Sequence, residues 1–527
     1  MDEGIRADLR HGTISKMLDR MVQKYGHQTA IEDGNTRISY FELSFGARRM
    51  TAALLAAGIR PGDRVAIWAP NCWEWIYAAL GIHGAGAVLV PLNTHYKGIE
   101  AATILNQSAA RLLFTVRDST GTDYPALLAA AKSECPALER TILLRGDHGQ
   151  SLDDFIALGD GHDADRVWAS VRPEDPCDVL FTSGTTGAPR GAVCHHAQTL
   201  RAYSDWANIV GLTSDDRYLV VAPFFHCFGY KAGWLAALLT GATILPQRED
   251  DAVQVLKRLG TDQVTVLSGS PAFYEDLLAH SDVATDALPS LRLAVTGTAV
   301  MPARLILRLR KTLGLRAIVT GYGLTEACGI ATLYRHDHND ETIARHCGLP
   351  IPGVEVCIVD GEGARCRPGE PGEILVRGYN VMSGFLDDEE ATAAAIDAQG
   401  WLHTGDIGVL SELGDLRVTD RLKDLFVVDG SNVSPAEIES ILLCREDIAQ
   451  VAVIGVPDDR LGEVGMAFVV PSGTRFVDEL ELGDWCRSNM ANFKVPRRIE
   501  VVDALPTNAT GEITKFVLRE WVSRRGI

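Results

Sequence analysis

Between residues 63 and 118 the chain alternates short apolar runs, at 63–68, 87–91 and 111–115, with helix-length segments such as 73–83. Runs of strand length separated by enough residues for a helical crossover are the pattern of βαβ units, whose strands pair in parallel. The rhythm returns at 218–222, 263–267, 291–295 and 317–320. It predicts an α/β fold of stacked parallel sheets with flanking helices in a large N-terminal domain. From Val354 the texture changes to short strands and turns, at 355–359 and 373–377, which suits a small β-rich subdomain. After Asp420 a compact α+β pattern begins, with strands at 450–456 and 467–471 and helices at 435–444 and 479–490. No internal repeat or low-complexity segment is present, and no Pro/Gly-rich linker marks the change near Asp420.

A chain of 527 residues exceeds one ordinary core, so two or three compact units are expected. With 46% hydrophobic and 23% charged residues it is globular rather than disordered. A net charge of −19 gives neither a basic face for a nucleic-acid backbone nor one for anionic lipid. The longest apolar stretch, 233–246, is interrupted by Thr240, Gly241 and Thr243, well short of the roughly 20 residues that span a bilayer. The first residues, Met1 to Arg6, lack the basic start and apolar run of a secretory signal, so a cytoplasmic location is expected. Eleven cysteines without a Cys-x-x-Cys pair suit reduced, mostly buried thiols. Cys194-His195-His196 and His226-Cys227 do not predict a metal centre, because neighbours on a strand point to opposite faces.

Residues 182–191 form a hydroxyl-lined, glycine-rich loop suited to polyphosphate. Gly184, Gly187 and Gly191 let backbone N–H groups approach a ligand, Thr182, Ser183, Thr185 and Thr186 add donors, and Arg190 adds a positive charge. No Gly-Lys-Ser or Gly-Lys-Thr occurs, which excludes a Walker loop. No Gly-x-Ser-x-Gly elbow occurs either, which argues against a serine hydrolase.

With that loop, and with residues 320–326 (Thr-Gly-Tyr-Gly-Leu-Thr-Glu), 400–406 (Gly-Trp-Leu-His-Thr-Gly-Asp), 420–424 (Asp-Arg-Leu-Lys-Asp) and 505–519 following in order, the chain resembles the adenylate-forming superfamily of acyl-CoA synthetases, luciferases and peptide-synthetase adenylation domains. The resemblance implies an acid–CoA ligase that activates a carboxylate as acyl-AMP, using ATP and Mg²⁺, and then forms a thioester with coenzyme A. It divides the chain into an N-terminal AMP- and acid-binding domain, 1–420, and a mobile C-terminal domain, 421–527, hinged near Lys423. It assigns Thr325 to the α-phosphate, Glu326 to Mg²⁺, Tyr322 to a place near adenine, and Asp406 to the ribose hydroxyls with Arg421 alongside. Gly430 matches a glycine that leaves room for the pantetheine arm. His226 resembles a gate at the acid pocket, bordered by Phe225, Tyr230, Gly297, Thr298 and Ala299, with Gly229, Ala232 and Gly233 leaving space. Only Lys231 is basic in these windows, so a predominantly apolar acid is expected.

Two positions depart from the family pattern. Arg190 stands where a lysine is usual, and a guanidinium holds phosphate bidentately rather than as a point charge. Glu512 stands where a lysine bridges carboxylate and α-phosphate, which reverses the sign of the interaction and predicts weakened adenylation. Lys515, three residues on, is the candidate to reach in and replace the missing cation; if this stretch is helical, it points about 300° away around the helix, adjacent to that position rather than coincident with it. Three other readings follow: thioester formation from acyl-AMP supplied by a partner adenylating enzyme, loading of a carrier protein (none being expected after Ile527), and non-catalytic acyl-adenylate binding.

Overall fold

A computed structural model of the chain describes residues 10–117, 121–145, 151–183, 189–248, 251–280, 288, 290–297, 301–335, 340–428, 431–458, 460–473, 475–508 and 511–525. They belong to two compact units, Met1–Val356 with Val376–Leu402, and Cys357–Leu375 with His403–Ile527. The second unit takes in 357–375 and 403–420 as well as the 421–527 expected from sequence.

In the first unit the described residues form two large sheets. One has nine strands in the order Leu349–Pro350, Thr332–Leu333, Ala317–Tyr322, Leu293–Thr296, Val266–Ser268, Arg217–Val220, Thr243–Pro246, Thr29–Asp33 and Thr36–Ser39. The strands from Ala317–Tyr322 to Thr29–Asp33 pair in parallel, as the βαβ rhythm predicts, and only the outer strands turn antiparallel. The other sheet has seven strands in the order Gly384–Phe385, Pro189–His195, Pro176–Ser183, Val88–Pro91, Arg64–Trp68, Leu112–Val116 and Arg140–Arg145. Its centre reads as unbroken apolar runs because both faces are covered: Val65, Ala66, Ile67, Trp68, Leu112, Leu113 and Phe114 are all buried.

Helix Trp73–Gly84 is apolar on every side, and its surroundings explain why. The Trp75 ring lies 5.6 Å from Phe224 and 6.0 Å from Trp234. On another side, helix Tyr40–Ala56 approaches so closely that a Cβ added at Gly81 would stand 2.1 Å from Met50 Cγ. Fully burying a large apolar side chain contributes about 1.5–3 kcal/mol, so this helix is a main support of the unit.

Segment Tyr230–Leu235 is a π-helix, inserted between the short turn Cys227–Gly229 and helix Ala236–Thr240. Tyr230 stacks on Trp234 at 4.9 Å, and its hydroxyl lies 3.0 Å from His83 Nε2. His83 in turn meets the edge of His196 at 5.5 Å, and His196 Nδ1 accepts a hydrogen bond from Ile14 N at 3.3 Å. The rings of these two histidines therefore serve the core.

Most of a four-stranded sheet, in the order Val354–Val359, Gly372–Gly378, Leu402–Leu410 and Leu416–Arg421, lies in the second unit, and among the described residues the rest of that unit is built on five strands. Ser431–Val433, Phe426–Val428, Gly462–Pro471 and Ile448–Asp458 run in that order, and Arg498–Val501 pairs with Gly462–Pro471. Alternation divides the central strands between two cores. Val451, Val453, Ala467 and Val469 face helices Pro435–Leu442 and Glu479–Asn489, whereas Ala452, Ile454, Met466 and Phe468 face Leu518 and Val522 of helix Lys515–Arg524. Both faces being buried, the sequence 450–456 shows no polar alternation. No described helix is long and apolar enough to cross a membrane.

Burial pushes His83 well below the usual histidine range and His196 down to about 3, so both are neutral in the folded chain. Above about pH 6.5 neither state binds the proton. Below it the unfolded chain takes up protons that the folded chain refuses, so stability falls by up to about 1.4 kcal/mol per pH unit for each ring. Urea unfolding of the protein at pH 7.5, 6.5 and 5.5 should show a midpoint that drops across the lower interval; a flat midpoint would contradict it.

Candidate active site

Strand Pro176–Ser183 pairs in parallel with Val88–Pro91 on one side and antiparallel with Pro189–His195 on the other. The antiparallel register reaches Thr182↔Arg190 and Ser183↔Pro189. Gly184, Thr185, Thr186 and Gly187 connect these strands and lie outside the described residues, as does the side chain of Ser183. Gly191, read as a phosphate-loop glycine, serves packing within the hairpin: a Cβ there would stand 2.5 Å from Val179 Cγ1.

The Thr182 hydroxyl donates to Glu326 Oε1 at 3.1 Å, joining the two sheets at the ends of their strands. Glu326 sits in the 3₁₀ turn Thr325–Ala327, entered directly after strand Ala317–Tyr322. The turn is tight because Gly323 has no side chain: a Cβ there would be 2.3 Å from Gly329 O. Its far end closes at Cys328, held at φ +58°, a left-handed conformation unusual for any residue but glycine. The Glu326 carbonyl accepts from Met382 N at 2.8 Å. Tyr322, the last residue of the strand, is largely buried. Arg190 approaches Asp388 Oδ2 at 3.8 Å and lies over the Phe385 ring.

On the acid side, Phe225 and His226 are half-buried, and His226 Nδ1 accepts from Phe228 N at 3.2 Å, capping the turn Cys227–Gly229. Tyr230 lies wholly within the core. Gly297 follows strand Leu293–Thr296, and nothing lies within 4 Å of a Cβ added to it, so there is open space beside it; Thr298 and Ala299 are outside the described residues. Gly229 and Gly233 do not leave pocket space as their size suggested. A Cβ at Gly229 would meet Pro223 O at 2.2 Å and one at Gly233 would meet Val220 Cγ1 at 2.6 Å, so both are needed for close packing.

Sequence reasoning missed a buried cluster beside this turn. Lys231 Nζ lies 3.1 Å from Asp178 Oδ1, both side chains fully buried, and 3.4 Å from Cys328 Sγ. Burial raises the Cys328 thiol, but its hydrogen bond with Cys194 and the Lys231 ammonium outweigh that and bring it to about 7. The signal was present: one lysine and one aspartate, each alone in an apolar run.

In the second unit, Asp406 and Arg421 stand directly opposite on the antiparallel strands Leu402–Leu410 and Leu416–Arg421, with Arg421 Nε 3.3 Å from Asp406 Oδ1. Asp420 Oδ2 accepts from Ser434 Oγ at 2.8 Å and from Ala436 N at 3.2 Å, fixing the start of helix Pro435–Leu442. Lys423 lies in the turn Leu422–Asp424, its ammonium lowered by partial desolvation and then by Arg421. Gly430 lies outside the described residues.

Glu512 is occupied locally. Asn508 Nδ2 donates to Glu512 Oε2 at 2.8 Å, and Glu512 N donates to Asn508 Oδ1 at 2.9 Å. Lys515 Nζ lies 2.9 Å from Glu439 Oε1, which also accepts from Val453 N at 2.7 Å. One turn along the same helix, Arg519 Nη2 donates to Asp424 Oδ1 at 2.7 Å. Burial raises the Glu439 carboxyl despite Lys515 and the Val453 N–H.

The AMP-binding enzyme family matches residues 18–386, and the AMP-binding enzyme C-terminal domain matches residues 437–512. The chain belongs to this family of adenylate-forming enzymes. It is an AMP-forming acid–thiol ligase that, like its relatives, forms an acyl-CoA through an acyl-adenylate. A 3-(7a-methyl-1,5-dioxo-octahydro-1H-inden-4-yl)propanoyl:CoA ligase of Mycobacterium tuberculosis is 46% identical over 97% of this chain and 99% of its own length. The Rhodococcus jostii ligase of the same name is 43% identical over 96% and 98%. The solved anthranilate CoA ligase AuaEII, in complex with anthranoyl-AMP, has a TM-score of 0.88 at 28% identity, covering 98% of each chain.

Removing Lys515 leaves Glu439 without its cation in a mostly buried site, where losing one member of an ion pair costs about 3–5 kcal/mol. Lys515→Ala should therefore lower stability by that order in urea unfolding, and Lys515→Met combined with Glu439→Gln should recover most of it. An unchanged Lys515→Ala midpoint would free Lys515 for another role.

Proposed function

We propose that this chain joins a bicyclic, largely apolar propanoic acid to coenzyme A, and that its ATP-dependent adenylation step is weakened by Glu512. The acid class is supported by the two relatives above 40% identity, whose names give a methyl-dioxo-octahydroindenyl propanoate. It is supported also by the burial of Lys231 against Asp178, which leaves no cation from that window for a second carboxylate. We place this chemistry in the cytoplasm.

The observation that carries the nucleotide assignment is the Thr182–Glu326 hydrogen bond, which brings the start of the glycine-rich loop to the carboxylate assigned to metal. A carboxylate and a hydroxyl are hard oxygen donors, and they fit magnesium, which when bound offsets the charge of the phosphates. Thr325 then contacts the α-phosphate, Tyr322 borders adenine, and Asp406 with Arg421 takes the ribose. Residues 182–187 and Arg190 cradle the departing pyrophosphate. Phe225, His226, Gly297, Thr298 and Ala299 border the acid. Lys423 is the pivot of the 421–527 domain, and Gly430 lines the path of the pantetheine arm.

Adenylation builds negative charge where the carboxylate meets the α-phosphate, and a cation there lowers the barrier. Glu512 supplies the opposite sign. Lys515 is committed to Glu439, which weighs against its replacing the missing cation. Losing one such stabiliser costs on the order of a hundredfold in rate. Thioester formation needs no cation at that position, and this favours, as a second reading, an enzyme that takes acyl-AMP from a partner.

A split assay separates these readings: CoA with synthetic acyl-AMPs in one arm, ATP with the free acids in the other, each followed by mass. Thioester should form readily in the first arm and about a hundredfold or more slowly in the second, with Glu512→Lys raising pyrophosphate release. Equal rates in both arms would refute a weakened adenylation. Faster acylation of a phosphopantetheinyl carrier than of CoA would mark a carrier-loading enzyme, and turnover in neither arm with tight acyl-AMP binding would mark a binder. Gly430→Leu should cut thioester formation from acyl-AMP while sparing acyl-AMP binding; an unchanged thioester rate would remove Gly430 from the pantetheine path.

A further inference from the structure

Asp178 and Thr182 are four residues apart on strand Pro176–Ser183, and residues an even number apart on a strand share a face. Each is tied to the same short turn by a different route. Thr182 reaches Glu326 directly at 3.1 Å. Asp178 reaches it through Lys231, whose Nζ is 3.1 Å from Asp178 Oδ1 and 3.4 Å from the sulfur of Cys328, two residues past Glu326. Strand, lysine and turn thus form a closed ring of contacts with Glu326 on its rim.

The rest of the ring is braced. The Asp178 Oδ2 atom lies 3.1 Å from Cys177 Sγ, the Cys328 sulfur is 3.5 Å from Thr199 Oγ1, and the Cys328 carbonyl accepts from Tyr203 Oη at 3.0 Å. Lys231 itself belongs to the π-helix Tyr230–Leu235, which follows directly from the turn capped by His226. Its ammonium therefore joins three elements: the strand that leads into the phosphate loop, the helix that leads away from the acid gate, and the turn that carries Glu326. A buried ion pair is poor evidence for stability alone, since an apolar pair of similar volume often serves as well. Its third contact, to Cys328, is what an apolar pair would not reproduce.

We propose that Lys231 is a positioning residue for the nucleotide site, holding the Thr325–Glu326 turn in place through Cys328 while anchored to Asp178. This rests on the assignment of Glu326 to the magnesium–nucleotide site. Lys231 touches neither nucleotide nor metal. It sets where the carboxylate of Glu326 stands relative to Thr182, in the way that outer partners of metal ligands commonly govern affinity by about ten- to a hundredfold.

The test uses the full chain. Binding of ATP is measured by calorimetry with Mg²⁺ and, separately, with EDTA, alongside the melting temperature without ligand. Lys231→Met alone strands the Asp178 charge and is a folding control. Lys231→Met with Asp178→Asn removes both charges, and Cys328→Ala cuts the tether while keeping the ion pair. We expect the double variant and Cys328→Ala to melt near the parent and to lose about tenfold in affinity only when Mg²⁺ is present, with Cys328→Ser restoring it. A general loosening of the fold would weaken binding with and without Mg²⁺ alike, and that result would overturn the proposal. So would parental affinity in both variants while Glu326→Gln loses the Mg²⁺-dependent part. If Glu326→Gln also binds as the parent does, the nucleotide-site assignment itself fails and the positioning role falls with it.

Discussion

The hydrogen bond from Thr182 to Glu326 brings the strand ends of two separately built sheets to one point, and the nucleotide site proposed for the first unit rests on it. Each sheet is stable for its own reasons: buried parallel strands, helices on their faces, and close approaches such as that of Gly81 to Met50. Between the sheets, Asn71 Nδ2 donates to Val220 O and Ala222 O, its Oδ1 accepts from Phe224 N, and the Trp75 ring packs on Phe224. The hydroxyl and carboxylate 3.1 Å apart add a polar contact at the place where a polyphosphate and its counter-ion are proposed. The sharp turn after Tyr322, made possible by Gly323 and by the left-handed Cys328, presents the carboxylate without a long loop that would let it wander.

Much of this was legible in the residues. The strands read at 63–68, 87–91 and 111–115 occur as Arg64–Trp68, Val88–Pro91 and Leu112–Val116, because fully buried parallel strands announce themselves as short apolar runs. The helix read at 73–83 occurs as Trp73–Gly84 for the same reason, being covered on every side. Hairpin Thr29–Asp33 and Thr36–Ser39 was not read, since its half-exposed, charged residues carry little apolar signal. Strand Thr243–Pro246 was absorbed into the longer apolar stretch around it, whose break at Gly241 is the left-handed end of a helix.

The site was legible where a motif names a side chain and not where tertiary packing supplies the partner. Pairing of Asp406 with Arg421 follows from two motifs lying on adjacent strands. Joining of Asp178, Lys231 and Cys328 links residues up to 150 positions apart, and neither periodicity nor composition pairs them. The same holds for Lys515: a helix running through Glu512 would have set its direction, but the helix begins only at Lys515, and the fold alone shows that Glu439 is its partner. Size misled at Gly229 and Gly233, where a missing side chain signified contact rather than vacancy.

Helix Lys515–Arg524 presents Lys515 and Arg519 one turn apart, each gripping a carboxylate that belongs to an earlier part of the second unit, Glu439 and Asp424. Its apolar face, through Leu518 and Val522, seals one of the two cores. The helix is thus a clasp that acts twice: its apolar face closes a core that Leu505 and Ile513 only partly cover, while its two cations neutralise carboxylates from separate segments, so without Lys515–Arg524 the second unit would lose packing and charge balance together.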